Sequence, residues 1–180
     1  MARTRIIFSG SGGQGVITAS IILAEAAALY EDLNAVQTQS YGPEARGGAT
    51  RSDVIISETD IRFPKVTQPN ILVCLTQEAY NKFSGIIRPG GLLLTDSHFV
   101  VPQRKVDARQ VEVGMYKAVM EEIGRPLVLN ICMLGALLGL AEVVQPESVM
   151  GVLKVRVPRD FLEMNIKALE LGLGLTRSPS

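Results

Sequence analysis

Two rhythms of apolar residues alternate along the chain. The first is a set of short continuous runs: Ile6-Ile7-Phe8, Val54-Ile55-Ile56, 71–75 and Leu92-Leu93-Leu94. Runs of this length bounded by glycine or polar residues read as buried strands. They predict strands over 3–9, 50–57, 71–75 and 92–95, with further strands over 34–40 and 111–113. The second rhythm is helical. Between 16 and 29, Ile17, Ile21, Leu23, Ala24 and Ala28 fall at helical spacing. Helices are also expected over 77–83, 115–123, 127–144, 147–153 and 159–171, with Pro146 and Pro158 where a first turn tolerates proline.

Alternating strands and helices imply a mainly parallel sheet covered on both faces. The fold expected is α/β: a Rossmann-like three-layer sandwich with a helical C-terminal part. No repeat or linker divides it, so a single domain over 1–175 and a frayed tail over 176–180 are expected. The most apolar stretch, 127–141, is interrupted by Asn130, Gly135 and Gly139 and ends at Glu142. It falls short of the roughly 20 apolar residues that span a bilayer, so it reads as a buried core helix. From 127 to 153 there is no Lys or Arg, while Met133, Leu137, Leu138, Leu140 and Met150 all occur. That surface is either intramolecular core or an interface patch; the second reading expects a homodimer of the isolated chain.

Composition narrows the classes. The chain has 180 residues, and its 18 basic and 18 acidic side chains cancel. A zero balance gives no general attraction to nucleic acid or anionic membrane, so neither is expected as a partner and anion recognition must be local. Cys74 and Cys132 form no C-x-x-C pair and read as buried small apolar residues. They are too few for an iron–sulfur cluster, and with the lone His98 they do not suit a zinc site. Few thiols and no signal-peptide pattern at the N-terminus make the cytoplasm the expected location.

The chemistry concentrates in two loops. Gly10-Ser11-Gly12-Gly13-Gln14-Gly15 satisfies G-x-G-x-x-G between a strand and a helix. Glycines let backbone amides approach a ligand, and the helix following Gly15 turns its positive end toward the loop. The plain alternative is a tight turn that binds nothing. An acid that would hold ribose hydroxyls is missing from the end of the second strand, where Thr38-Gln39-Ser40-Tyr41 stands. Val16 and Ile17 replace the Lys and Ser/Thr of a P-loop, and Ser9 takes the place of the first glycine of a nucleophile elbow. The second loop, Tyr41-Gly42-Pro43-Glu44-Ala45-Arg46-Gly47-Gly48, should lie at the same carboxyl edge. There Arg46 and Arg51 would offer forked donors to phosphate or carboxylate, with Glu44 able to restrain Arg46. The plain alternative is a surface salt bridge of little energy. Asp96-Ser97-His98 at a strand end reads mainly as solvated loop.

The wording Gly10-Ser11-Gly12-Gly13-Gln14-Gly15-Val16, followed by Gln37-Thr38-Gln39-Ser40, the Tyr41–48 loop and Arg51-Ser52, resembles the gamma subunits of 2-oxoacid:ferredoxin oxidoreductases, most closely the 2-oxoglutarate type. The resemblance runs over about 3–172. It implies a subunit that is inactive alone, in a complex that converts a 2-oxoacid and coenzyme A into acyl-CoA, carbon dioxide and reduced ferredoxin. Thiamine diphosphate, magnesium and iron–sulfur clusters would sit on partner alpha, beta and delta subunits. This chain would contact coenzyme A or a neighbouring subunit through Gly10, Gly12, Gly13, Gln14, Gly15, Tyr41, Glu44, Arg46, Gly47, Gly48 and Arg51, with Arg46 and Arg51 at the coenzyme A phosphates or at the interface near the thiamine site; the alternatives are a purely structural assembly subunit and a free-standing dinucleotide-binding protein.

Overall fold

The apolar runs become strands of one sheet in the computed structural model, which describes residues 3–40 and 48–177. The strands are β1 (Thr4–Gly10), β2 (Asn34–Gln39), β3 (Thr50–Ser57), β4 (Ile71–Cys74), β5 (Gly91–Asp96) and β6 (Ala108–Val113). Their spatial order is β2-β3-β1-β4-β5-β6. β1, β4, β5 and β6 pair in parallel, whereas β3 runs antiparallel to both β1 and β2. The sheet is thus mainly parallel, but its first two strands are not neighbours. Only residues 40–49 connect β2 to β3, too short a connection for a parallel crossover. The chain must turn back, and β3 takes the place beside β1.

Successive side chains point to opposite faces, so the apolar runs serve two cores at once. Ile6, Phe8, Val54, Ile56, Val73 and Leu94 join one cluster; Ile7, Ile55, Leu72, Cys74 and Leu93 join the other. The first face is covered by α1 (Val16–Tyr30), α3 (Met115–Glu122), α4 (Leu129–Leu140), α5 (Pro146–Arg156) and α6 (Arg159–Thr176). The second carries α2 (Gln77–Phe83) with Val66 and Val100 from loops. The Thr76 hydroxyl caps α2 by accepting from the Ala79 amide at 3.1 Å.

The helical part departs from the sequence expectation in three places. A 3-10 turn, Pro126–Val128, precedes α4, which stops at Leu140 instead of reaching 144. Val143 and Val144 remain buried outside the helix, so apolar periodicity could not reveal the break. Gln145, held extended at ψ 142° ahead of Pro146, shows the usual restriction before proline. α6 runs to Thr176, whose hydroxyl donates to the Ala136 carbonyl at 2.9 Å; this residue closes a helix and is no part of a tail. β6 begins at Ala108 because it is a half-exposed edge strand with little apolar signal.

The helix α4 is buried along Leu129–Leu138. It lies against α6 with glycines at the crossing: a Cβ at Gly135 would strike the Leu169 backbone, and one at Gly172 the Cys132 backbone. The interface-patch reading of this stretch is therefore corrected. Its leucines and Met133 are intramolecular core, and only Leu127 at its start is widely exposed, at 72%. No helix among the described residues is long and apolar enough to cross a membrane.

Candidate functional site

The glycine loop sits at the carboxyl edge of β1 and is held from within. The Ser11 amide donates to Gln14 Oε1 at 2.8 Å, while Gln14 Nε2 donates to the Leu75 carbonyl at 2.9 Å. Gln14 therefore ties the loop to the end of β4, a structural task for a residue expected to contact ligand. A Cβ at Gly10 would lie 2.5 Å from Gln14 Oε1 and 3.2 Å from Leu75 Cβ and Val16 Cγ1, so it would displace the Gln14 tie. Gly15 adopts φ +71°, in the left-handed region, and its carbonyl accepts from Asn130 Nδ2 at 3.2 Å. Gly12 and Gly13 differ. Both are exposed; a Cβ on Gly13 would meet nothing within 4 Å, and one on Gly12 only Thr50 Oγ1 at 4.0 Å. Among the described residues nothing requires these two to be glycine. Their bare backbone faces open space in front of α1, whose first turn carries no acid and whose amides favour an anion.

Of the second loop, Tyr41, Glu44, Arg46 and Gly47 lie outside the described residues. Its flanks are clear. Ser40 donates its amide to the Arg51 carbonyl at 3.2 Å, Thr50 stands opposite Gly10 in register, and Gly48 is half-buried next to them. The segment thus leaves and rejoins the sheet at the same edge as the glycine loop. Arg51 turns to the other face. Its Nε and Nη2 bond both oxygens of Asp53 at 2.7 and 2.9 Å, and Nη2 also reaches the Val66 carbonyl at 2.6 Å. The guanidinium lies 5.4 Å from the Phe83 ring centre. A fork so occupied braces the chain from within, and the side chain keeps only 19% exposure. It lines a cleft of about 420 Å³ with Thr38, Ser40 and Lys65.

Sequence reasoning missed the polar cluster beneath this edge. Ser20 and Ser52 hydroxyls meet at 2.6 Å, and Gln37 Nε2 donates to Ser52 at 2.8 Å, fastening α1 to β2 and β3. Asn130 was also missed; a polar residue buried in an apolar helix was the available signal. Ser9, near the end of β1, is buried with no partner for its hydroxyl among the described residues.

The Asp96-Ser97-His98 triplet divides. Asp96 is fully buried and accepts from the His98 and Tyr116 amides at 2.8 Å each, capping α3. Burial pushes its carboxyl above the usual range, opposed by those two bonds. His98 is exposed and stacks on Tyr116 at 4.3 Å. Burial raises both thiols, and the charge of Asp96 assists at Cys132, pushed up to about 12; neither is a nucleophile near neutrality. Among the described residues no group of three His, Cys, Asp or Glu could hold a metal ion. The edge offers amide donors and open space, the equipment of a binding surface.

The family model described as pyruvate ferredoxin/flavodoxin oxidoreductase matches residues 5–175. The chain is 47% identical to the 2-oxoglutarate synthase subunit KorC of Methanocaldococcus jannaschii, over 94% of this chain and 92% of that one. It is similar to the solved gamma subunit of a keto/oxoacid ferredoxin oxidoreductase from Geobacter sulfurreducens, with TM-score 0.90, 41% identity and coverage of 98% and 97%. The same fold recurs in a longer chain of 2-oxoglutarate:ferredoxin oxidoreductase from Magnetococcus marinus, solved with 2-oxoglutarate, coenzyme A and succinyl-CoA. There the TM-score is 0.86 at 21% identity, covering 99% of this chain and 32% of that one.

Proposed function

The chain belongs to the pyruvate ferredoxin/flavodoxin oxidoreductase family and is a gamma-type subunit of a 2-oxoacid:ferredoxin oxidoreductase, and from that premise we propose that its glycine-loop edge forms part of the coenzyme A site of the complex. The substrate is 2-oxoglutarate or a close relative, as the names of the most similar subunits suggest. The overall reaction breaks the bond between the oxo carbon and the carboxyl group. Carbon dioxide leaves, the acyl group passes to the coenzyme A thiol, and the electrons pass to ferredoxin. Thiamine diphosphate with magnesium and the iron–sulfur clusters belong to the partner alpha, beta and, where present, delta subunits. This chain supplies no catalytic group and works in the cytoplasm.

The observation that carries the reading is the open backbone at Gly12 and Gly13. No described residue needs glycine there, whereas a phosphate approaching the amides ahead of α1 does. Arg46, in the sequence between Ser40 and Gly48, is the guanidinium assigned to the coenzyme A phosphates. Arg51 is engaged by Asp53 on its own strand. A free-standing dinucleotide-binding enzyme is disfavoured, because β3 separates β1 from β2 and no acid ends β2.

The test is co-purification of the tagged chain from its host with mass spectrometry and a 2-oxoglutarate-dependent dye-reduction assay. Recovery of a thiamine-binding partner with coenzyme A-dependent activity supports the reading. Recovery of the chain alone, retaining a dinucleotide and inactive with 2-oxoacids, overturns it.

A further inference from the structure

A second cleft, of about 290 Å³, opens at the edge of the sheet opposite the glycine loop. Arg3 and Arg5 come from the start of β1, Lys65 from the segment leading to β4, and Arg88 from the turn before β5. The other lining residues are Phe63, Thr67 and Gln68, so among the described residues no acid lines it. Four of the chain's 18 basic residues thus converge in a molecule of zero net charge. Lys65 and Arg88 are exposed, and Phe63 holds its ring out at 63% exposure. Arg3 is oriented by its Nη2, which donates to the Asp60 carbonyl at 2.8 Å, and Arg5 by its amide, which donates to Asn70 Oδ1 at 2.9 Å.

Nothing in the coenzyme A reading uses this cluster. Small-molecule sites are concave and mainly apolar, and obligate interfaces are richer in apolar area. A shallow ring of cations about one exposed aromatic instead has the composition of a protein-docking spot, where arginine and aromatic residues anchor and charge steers the encounter. We propose that this cleft docks a carboxylate-rich segment of another, soluble protein, transiently and through charge complementarity. Carboxylates pair with Arg3, Arg5, Lys65 and Arg88, and an apolar side chain of the partner covers Phe63. The site goes beyond the coenzyme A function and stands if that function fails.

The experiment measures fluorescence anisotropy of a labelled oligoglutamate peptide added to the purified complex, for wild type, Lys65→Glu/Arg88→Glu and Lys154→Glu/Arg159→Glu. Both pairs change the net charge equally, and the control pair lies on the helical face. Wild type binds the peptide, more weakly as salt rises. The cleft variant loses about tenfold or more of the affinity, as expected when two weak attractions become repulsions; the control stays near wild type. No binding by wild type, equal loss in both variants, or full displacement of the peptide by stoichiometric pyrophosphate overturns the proposal.

Discussion

Asn130 reaches from the first turn of the sequence's most apolar helix to the Gly15 carbonyl, donating at 3.2 Å across a separation of 115 residues. A Cβ on Gly15 would stand 2.7 Å from that same Nδ2. The shape of the glycine loop and the position of α4 are therefore one constraint. With φ +71° at Gly15, Gly15→Ala meets both backbone strain and a clash. It should cost about 2–4 kcal/mol and lower the thermal midpoint, with coenzyme A kinetics measured in parallel.

Asn130→Leu keeps the branched shape of asparagine, in a larger side chain, but abandons the Gly15 carbonyl. A loss of about 1–3 kcal/mol follows from the unmet hydrogen bond, read by denaturant titration. Asn130→Asp should be no better than leucine, since it removes the donor.

The close crossing of α4 and α6 gives a purely structural prediction. Gly172→Ala pushes a methyl into the Cys132 carbonyl region, so the helices must separate. Destabilisation of about 1–3 kcal/mol is expected, with the Michaelis constant for coenzyme A unchanged in whatever complex still assembles.

Asp96 makes stability depend on pH with a definite sign. Burial raises its folded value above the ordinary 3.8, so the folded chain binds the proton more tightly than the unfolded one. The corresponding stability is fully present below the unfolded value and is lost as pH rises through the folded value. Melting wild type and Asp96→Asn side by side from acid to neutral pH should show the stability difference moving against wild type across that window, then levelling off. A constant difference would remove Asp96 as the source. The Glu25–Arg156 pair, with distances of 2.7 Å, works the other way: the arginine holds Glu25 low, and that contribution fades as pH falls. Both partners are part-exposed, so its effect is small.

The two rhythms of the sequence placed nearly every element, because a strand buried on both faces leaves an unbroken apolar run such as Ile6-Ile7-Phe8. Sheet order was less legible. The run Val54-Ile55-Ile56 looks the same whether its strand is parallel or antiparallel, and the short 40–49 connection was the clue to its reversal. The helix break after Leu140 stayed hidden because Val143 and Val144 are buried on either side of any such choice. At the site, the motif located the glycine loop but could not separate Gly10 and Gly15, which pack closely against Gln14 and Asn130, from Gly12 and Gly13, which no described residue crowds. The same limit applied to Arg51. A guanidinium in a loop motif reads as an anion ligand until its partner Asp53, two residues on, is seen on the same face of the strand.

That distinction among glycines gives the most direct test of the coenzyme A assignment. Gly13→Asp places a carboxylate in space that no atom of the described residues occupies. The measurement is the Michaelis constant for coenzyme A of the reconstituted complex, alongside its thermal midpoint. An increase of about tenfold or more with the midpoint and assembly unchanged is the predicted result. An unchanged Michaelis constant in a fully assembled complex would contradict it and leave the glycine loop a turn of the fold alone.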